Sequence, residues 1–204
     1  MGSRTKIFFL AASVLAAAAL SRAQESKPDF KISEITNKDG GLNVTSVRLE
    51  PLPVEVPNSP AARVELTSDI TYGTQSGKAF VLPVSLDLMF RDPGVKFPRP
   101  PDVTVVLDGA QLKLRGVTEN PVAGNITAGM VGDGIATSYS SPGVEMIGVL
   151  LPSKTFILLT KARSVELRIG ELSVPLRENH LKAFQEMLKR SEGRARLDDR
   201  RRRE

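Results

Sequence analysis

Cysteine and tryptophan are absent, histidine occurs once, and aromatic side chains number only ten, eight Phe and two Tyr. Without cysteine there are no disulfides, thiolate zinc sites, iron–sulfur clusters or thiol nucleophiles, and no cysteine for a lipid anchor. A single histidine, His180, excludes multi-histidine zinc sites. It lies near the start of a helical stretch, beside an apolar stripe, where a packing or surface role outweighs a catalytic one. Ten aromatics, two of them near the N-terminus, are too few for the two interfacial girdles of an outer-membrane barrel. No cofactor motif is complete.

The 204 residues carry 28 basic and 23 acidic side chains, a formal charge of +5 and a pI near 9.6. That excess sits at the two ends. Residues 1–23 read as a secretory signal peptide, with Arg4 and Lys6 ahead of the apolar run Ile7 to Leu20 and Ser21-Arg22-Ala23 at the cleavage position. The run of 14 residues is short of the ~20 a membrane-spanning helix needs, so no transmembrane segment is expected after cleavage. Residues 189–204 hold eight basic and four acidic residues, including Arg200, Arg201, Arg202 and Arg203. Residues 24–188 are left with a net charge of −2, and a body of that charge, poor in aromatics, is not a nucleic-acid module. The four arginines are the candidate contact with an anionic surface.

The pattern along the chain predicts mainly antiparallel β-structure. Residues 24–41 are polar and read as a flexible lead-in, and 42–60 read as edge strand or extended loop because Pro51, Pro53 and Pro57 remove ladder donors. From Val64 to Phe90 apolar residues hold even positions, which predicts a long hairpin turning near Gly73 to Gly77, with Ser85 and Asp87 on the opposite face. Asp108-Gly109 between Val103–Leu107 and Ala110–Leu114 predicts a second hairpin with a type I′ turn. Residues 116–143 are rich in Gly, Ser, Thr and Asn and read as a long loop. Val144–Leu151 reads as a buried strand, 153–162 as a short helix capped by Ser153 or else a strand, and Val165–Ile169 with Leu172–Val174 as a third hairpin. A helix from Glu178 to Arg190 carries Leu181, Phe184 and Leu188 on one face, and 191–204 read as a disordered basic tail. The expected fold is an antiparallel β-sandwich of seven or eight strands, a single β-rich domain over 42–190, with a C-terminal α-helix.

Several features look chemical and have a plainer reading. Gly129 to Gly134 has glycine spacing like that of a phosphate loop, yet Ile135-Ala-Thr-Ser-Tyr139 follows in place of Lys-Ser/Thr. Asp133 and Asn125 lack the calcium-loop pattern. Asp87, Asp92, Asp102, Asp108, Glu119, Asp133 and Glu145 are scattered acids, with Asp108 accounted for by its turn. Asn43-Val-Thr45 and Asn125-Ile-Thr127 match the glycosylation acceptor pattern, which occurs often by chance.

The order of a short apolar segment at Phe156, the strand ending Arg168-Ile-Gly170, its partner ending Pro175-Leu176 and an amphipathic helix resembles the C-terminal end of uncharacterised exported bacterial proteins. The resemblance implies an exported domain and no activity. Arg177 stands where such proteins often have a capping Ser or Thr. The reading reached from these residues is a non-catalytic periplasmic or secreted binding module whose partner is an envelope protein or polysaccharide. The alternatives are a carboxylate-dependent hydrolase or carbohydrate-active protein using the 91–102 and 116–143 loops, and a structural protein tethered through Arg200 to Arg203.

Overall fold

The structure is a computed structural model that describes residues 29–39, 42–59, 61, 63–76, 78–92, 95–117 and 134–201, the last nine by backbone alone. It is mainly β with antiparallel sheets and a C-terminal helix. Twelve strands are described: β1 (Ile32–Asp39), β2 (Leu42–Pro53), β3 (Arg63–Gln75), β4 (Lys78–Val81), β5 (Val84–Arg91), β6 (Val103–Leu107), β7 (Ala110–Lys113), β8 (Arg115–Val117), β9 (Ile135–Ser141), β10 (Val144–Leu151), β11 (Val165–Ile169) and β12 (Leu172–Leu176). Helix α1 (Ser153–Lys161) joins β10 to β11, and α2 (Glu178–Arg201) follows β12. The large sheet runs β1-β2-β3-β5-β10-β9-β8, with β4 also on β3, and the small sheet runs β12-β11-β6-β7. Every pairing is antiparallel except β8 with β9.

Alternation along the sequence becomes burial in the large sheet. In β5, Val84, Leu86, Leu88 and Phe90 are buried while Ser85, Asp87 and Met89 are not. β3 follows the same parity through Val64, Leu66, Ile70 and Tyr72. One cluster of buried side chains draws on these strands, on Val103, Val105, Leu167 and Val174 of the small sheet, and on Phe156, Leu159, Phe184 and Met187 of the helices. Helix α2 contacts β2 and β3, and the rings of Phe156 and Phe184 meet edge to face with centroids 5.6 Å apart.

The hairpins form as the turn residues dictate. Asp108 and Gly109 both have positive φ, 49° and 88°, as a type I′ turn requires. The long hairpin forms too, with its second arm interrupted at Leu82-Pro83. β4 pairs with the far end of β3 and β5 with the near end.

Five expectations are corrected. Ile32–Asp39, within the stretch expected to be a flexible lead-in, is a strand paired along its length with β2. Its side chains say little because an edge strand is held mainly by backbone hydrogen bonds. Residues 42–53 form a strand inside the sheet, between β1 and β3, and not an edge. Pro51 falls where the register shifts between Leu49 and Leu52, a bulge in which its missing donor is not needed. Ile135–Ser141, inside the expected loop, is strand β9, zipped to β10 by its backbone. Helix α2 continues to Arg201 through the stretch expected to be a disordered tail, where Arg, Ala and Leu favour helix. In α1, Pro152 is the N-cap with no side-chain cap bond, so Ser153 is the first helical residue and not the cap. The expected signal peptide, residues 1–23, lies outside the described residues.

Candidate functional site

The outward face of the large sheet carries a concave polar patch. Register sets its membership: Arg48 of β2 lies opposite Asp69 of β3, Asp69 opposite Ser85 of β5, and Thr67 opposite Asp87. Asp69 and Asp87 are therefore diagonal neighbours on adjacent strands, close enough for the charge of Asp69 to act on Asp87. Together with Glu50, these side chains line a recess of about 360 Å³.

Hydrogen bonds hold one half of the patch in place. Arg48 Nε donates to Asp69 Oδ2 at 3.1 Å, and its guanidinium approaches the same oxygen at 3.0 Å. Thr71 Oγ1 donates to Asp69 Oδ1 at 2.9 Å, and Ser46 Oγ lies 2.8 Å from Thr71 Oγ1. Asp69 is thus satisfied on both oxygens. Asp87 sits differently. Burial pushes its carboxyl up to about 6, with the charge of Asp69 adding to the rise and the Ser85 hydrogen bond and Arg48 opposing it.

The neighbour across from Asp87 on β10 is Gly148. A Cβ at that position would lie 2.7 Å from Thr137 Oγ1 and 3.1 Å from Asp87 Oδ1. Glycine lets the carboxylate lie over the β10 backbone, where a larger residue would displace it. One row along the same face is Tyr139 of β9, half exposed, opposite Met146. Glu65 also lies on this face and is buried between Arg63 and Arg91, the latter at 3.0 Å.

The remaining acids lie in three separate places. Asp108 Oδ1 accepts backbone N–H bonds from Arg163 and Ser164, both 2.9 Å, and these hold its carboxyl below the usual range. It ties its hairpin turn to the start of β11. Asp102 pairs with Lys113 at 3.3 Å. Asp92 and Glu145 are brought together at a second recess, lined also by Lys96 and Ser140. Sequence spacing, 53 residues apart, gives no hint of that meeting.

His180 is buried, at 1% exposure, and its ring is fully engaged. The Arg177 N–H donates to Nδ1 at 3.0 Å, so Nε2 bears the proton and donates to the Pro53 carbonyl at 3.1 Å. The imidazole does what a Glu or Gln at the third helical position does in a capping box, which explains how Arg177 stands at the N-cap without a capping side chain. Burial lowers its pKa, and this neutral, doubly bonded ring belongs to the framework.

Of the candidate anionic-surface contacts, Arg200 and Arg201 lie at the end of the α2 backbone, and Arg202 and Arg203 lie outside the described residues. Asn125, Glu119, Asp133 and Gly129 to 133 also lie outside them. Gly134 packs against the Leu150 carbonyl at the start of β9, a structural position. Among the described residues no helix is long and apolar enough to cross a membrane. No family model, curated protein or solved structure matches the chain.

Proposed function

We propose that the protein is an exported, non-catalytic binding module, a two-sheet sandwich delivered to the periplasm or secreted by residues 1–23, and that its ligand is an envelope polysaccharide. The observation that carries this reading is the recess on the outward sheet face, where Arg48, Asp69, Asp87, Ser85 and Thr67 gather on rigid strands. A sugar presents hydroxyls that donate and accept, and its recognition needs both kinds of partner within reach. The carboxylates accept, the guanidinium donates and the hydroxyls do either. The exposed ring of Tyr139 supplies a flat apolar surface for the C–H face of a sugar. Two strands across at ~4.8 Å each and two residues along at ~3.4 Å each place it roughly 12 Å from Asp87. That is the span of two sugar rings, which suits a chain polymer better than a free monosaccharide.

The test is retardation of the full chain in affinity gels containing a neutral, an acidic or an amino polysaccharide: dextran, alginate or soluble chitosan. Retardation by at least one, lost in Arg48→Ala and in Tyr139→Ala, is the expected result. Mobility unchanged in all three gels overturns the reading. Release of new reducing ends that stops in Asp69→Asn or Asp87→Asn turns it toward the carbohydrate-active alternative. A chain ending at Glu192 that is no longer retarded, with the sheet intact, moves the contact to Arg200 to Arg203.

A further inference from the structure

The inward face of β10 is apolar except at one position. Ile147, Val149 and Leu151 are buried there, and the residue that begins the same row is Glu145, only 6% exposed. Its directly opposed neighbours are Phe90 on β5 and Ser140 on β9. Residues so paired share a face of the sheet, so the carboxyl emerges beside a ring on one side and a hydroxyl on the other. Oε2 of Glu145 is shielded from solvent and has no hydrogen-bond partner. A buried carboxylate oxygen left unmatched loses its hydration without compensation, an arrangement that calls for a cationic donor.

The surroundings supply a place for one. Glu145 lines a recess of about 470 Å³ with Asp92, Lys96, Ser140 and Ser141, a volume in the range of small-molecule sites. Asp92 directly follows the last residue of β5. The Val95 N–H donates to the Asp92 carbonyl at 3.3 Å, Val95 is buried in the wall, and Phe97 packs edge-on against Phe90 with centroids 4.8 Å apart. Ser140 and Lys96 are exposed and mark the mouth.

We propose that this recess binds a small organic ammonium compound, its charged nitrogen received by Glu145 and Asp92 and its other end turned toward Lys96. An ammonium carries three donors and no acceptor, the complement of two carboxylates and a hydroxyl. The lysine at the mouth selects, among such compounds, those with an anionic far end. A divalent cation suits the recess less well. Among the described residues no three acidic or histidine side chains stand close enough to hold one, and the space far exceeds an ion's.

The experiment is calorimetric titration of the full chain with γ-aminobutyrate, putrescine, butanoate, 1,4-butanediol and calcium chloride at millimolar concentrations. Expected are binding of γ-aminobutyrate and weaker binding of putrescine, with no heat from butanoate or the diol. Glu145→Gln should weaken γ-aminobutyrate binding about tenfold or more, the worth of a hydrogen bond to a charged partner. Lys96→Ala should weaken γ-aminobutyrate and leave putrescine unchanged or stronger. Should Glu145→Gln not fold, Asp92→Asn gives the same readout. The proposal is overturned by absence of binding of either ammonium compound, by equal binding of the diol, by undiminished affinity in Glu145→Gln, or by calcium binding that the Glu145 change abolishes.

Discussion

The two faces of β5 are built from neighbouring residues and do opposite work. Inward, Val84, Leu86, Leu88 and Phe90 are all at or below 2% exposure and contribute to the core. Outward, Ser85 and Asp87 look from the alternation like ordinary solvent-facing residues. Asp87 is not one, because its neighbours across the strands, Gly148 with no side chain and Thr67, let it settle into the sheet surface where its charge is poorly hydrated. The inward face is governed by a pattern that one strand contains, and the outward face by residues that four strands bring together. A face can be polar and yet far from solvent-like when its partners are small.

The comparison is broken most severely from the inward side. Leu88→Ala removes a side chain at 1% exposure and leaves a cavity, and is expected to cost about 2–5 kcal/mol of stability in denaturant unfolding. A loss below about 1 kcal/mol would mean that the core collapses around the site and that alternation overstates its packing.

A somewhat smaller loss is expected for His180→Ala, about 2–4 kcal/mol, because the Arg177 N–H and Pro53 carbonyl lose their partner inside the protein. His180→Gln, which keeps an acceptor at the third helical position, should recover part of it. The folded-state pKa of this histidine lies below its unfolded value of ~6.5, so the unfolded chain takes up the proton first. The stability it contributes is present above that value and falls away as the pH drops through it. An unfolding free energy of the His180→Gln chain that runs parallel to that of the native chain between about pH 7 and pH 5 would remove this account.

Asp87→Asn sharpens the outward side and carries the smallest effect, with the opposite sign. The folded pKa of about 6 exceeds the ordinary carboxylate value, so the folded state binds the proton more tightly. The contribution of Asp87 is fully present below about pH 4 and is lost as the pH rises through about 6. The asparagine chain should therefore be more stable than the native one by about 1–3 kcal/mol at pH 7.5, with the gain vanishing near pH 4. Equal gains at both pH values would show that Asp87 does not titrate in this range.

The parts of the fold that announced themselves are those whose cause is local. The Asp108-Gly109 turn, the even-position row from Val64 to Phe90 and the apolar stripe of α2 each follow from a few consecutive residues. β1 and β9 were hidden because their order comes from backbone pairing with β2 and β10, to which their own polar side chains contribute little. Pro51 misled for a related reason. A proline excludes a regular ladder position, and only the register with β3 shows that it occupies a bulge.

The sites follow the same division. His180 could be recognised in the sequence as a helix-start residue beside an apolar stripe, but its partner Pro53 lies 127 residues away. Asp69 beside Asp87, and Asp92 beside Glu145, are likewise meetings of separate strands and loops. By itself the sequence determined the β-rich class, the turns, the terminal helix and the removal of thiol and multi-histidine chemistry, since composition and short-range periodicity act without knowledge of partners. Only the tertiary structure decided which acids became neighbours and which lost their water, because burial and charge proximity depend on strand register, and register is a property of pairs of strands.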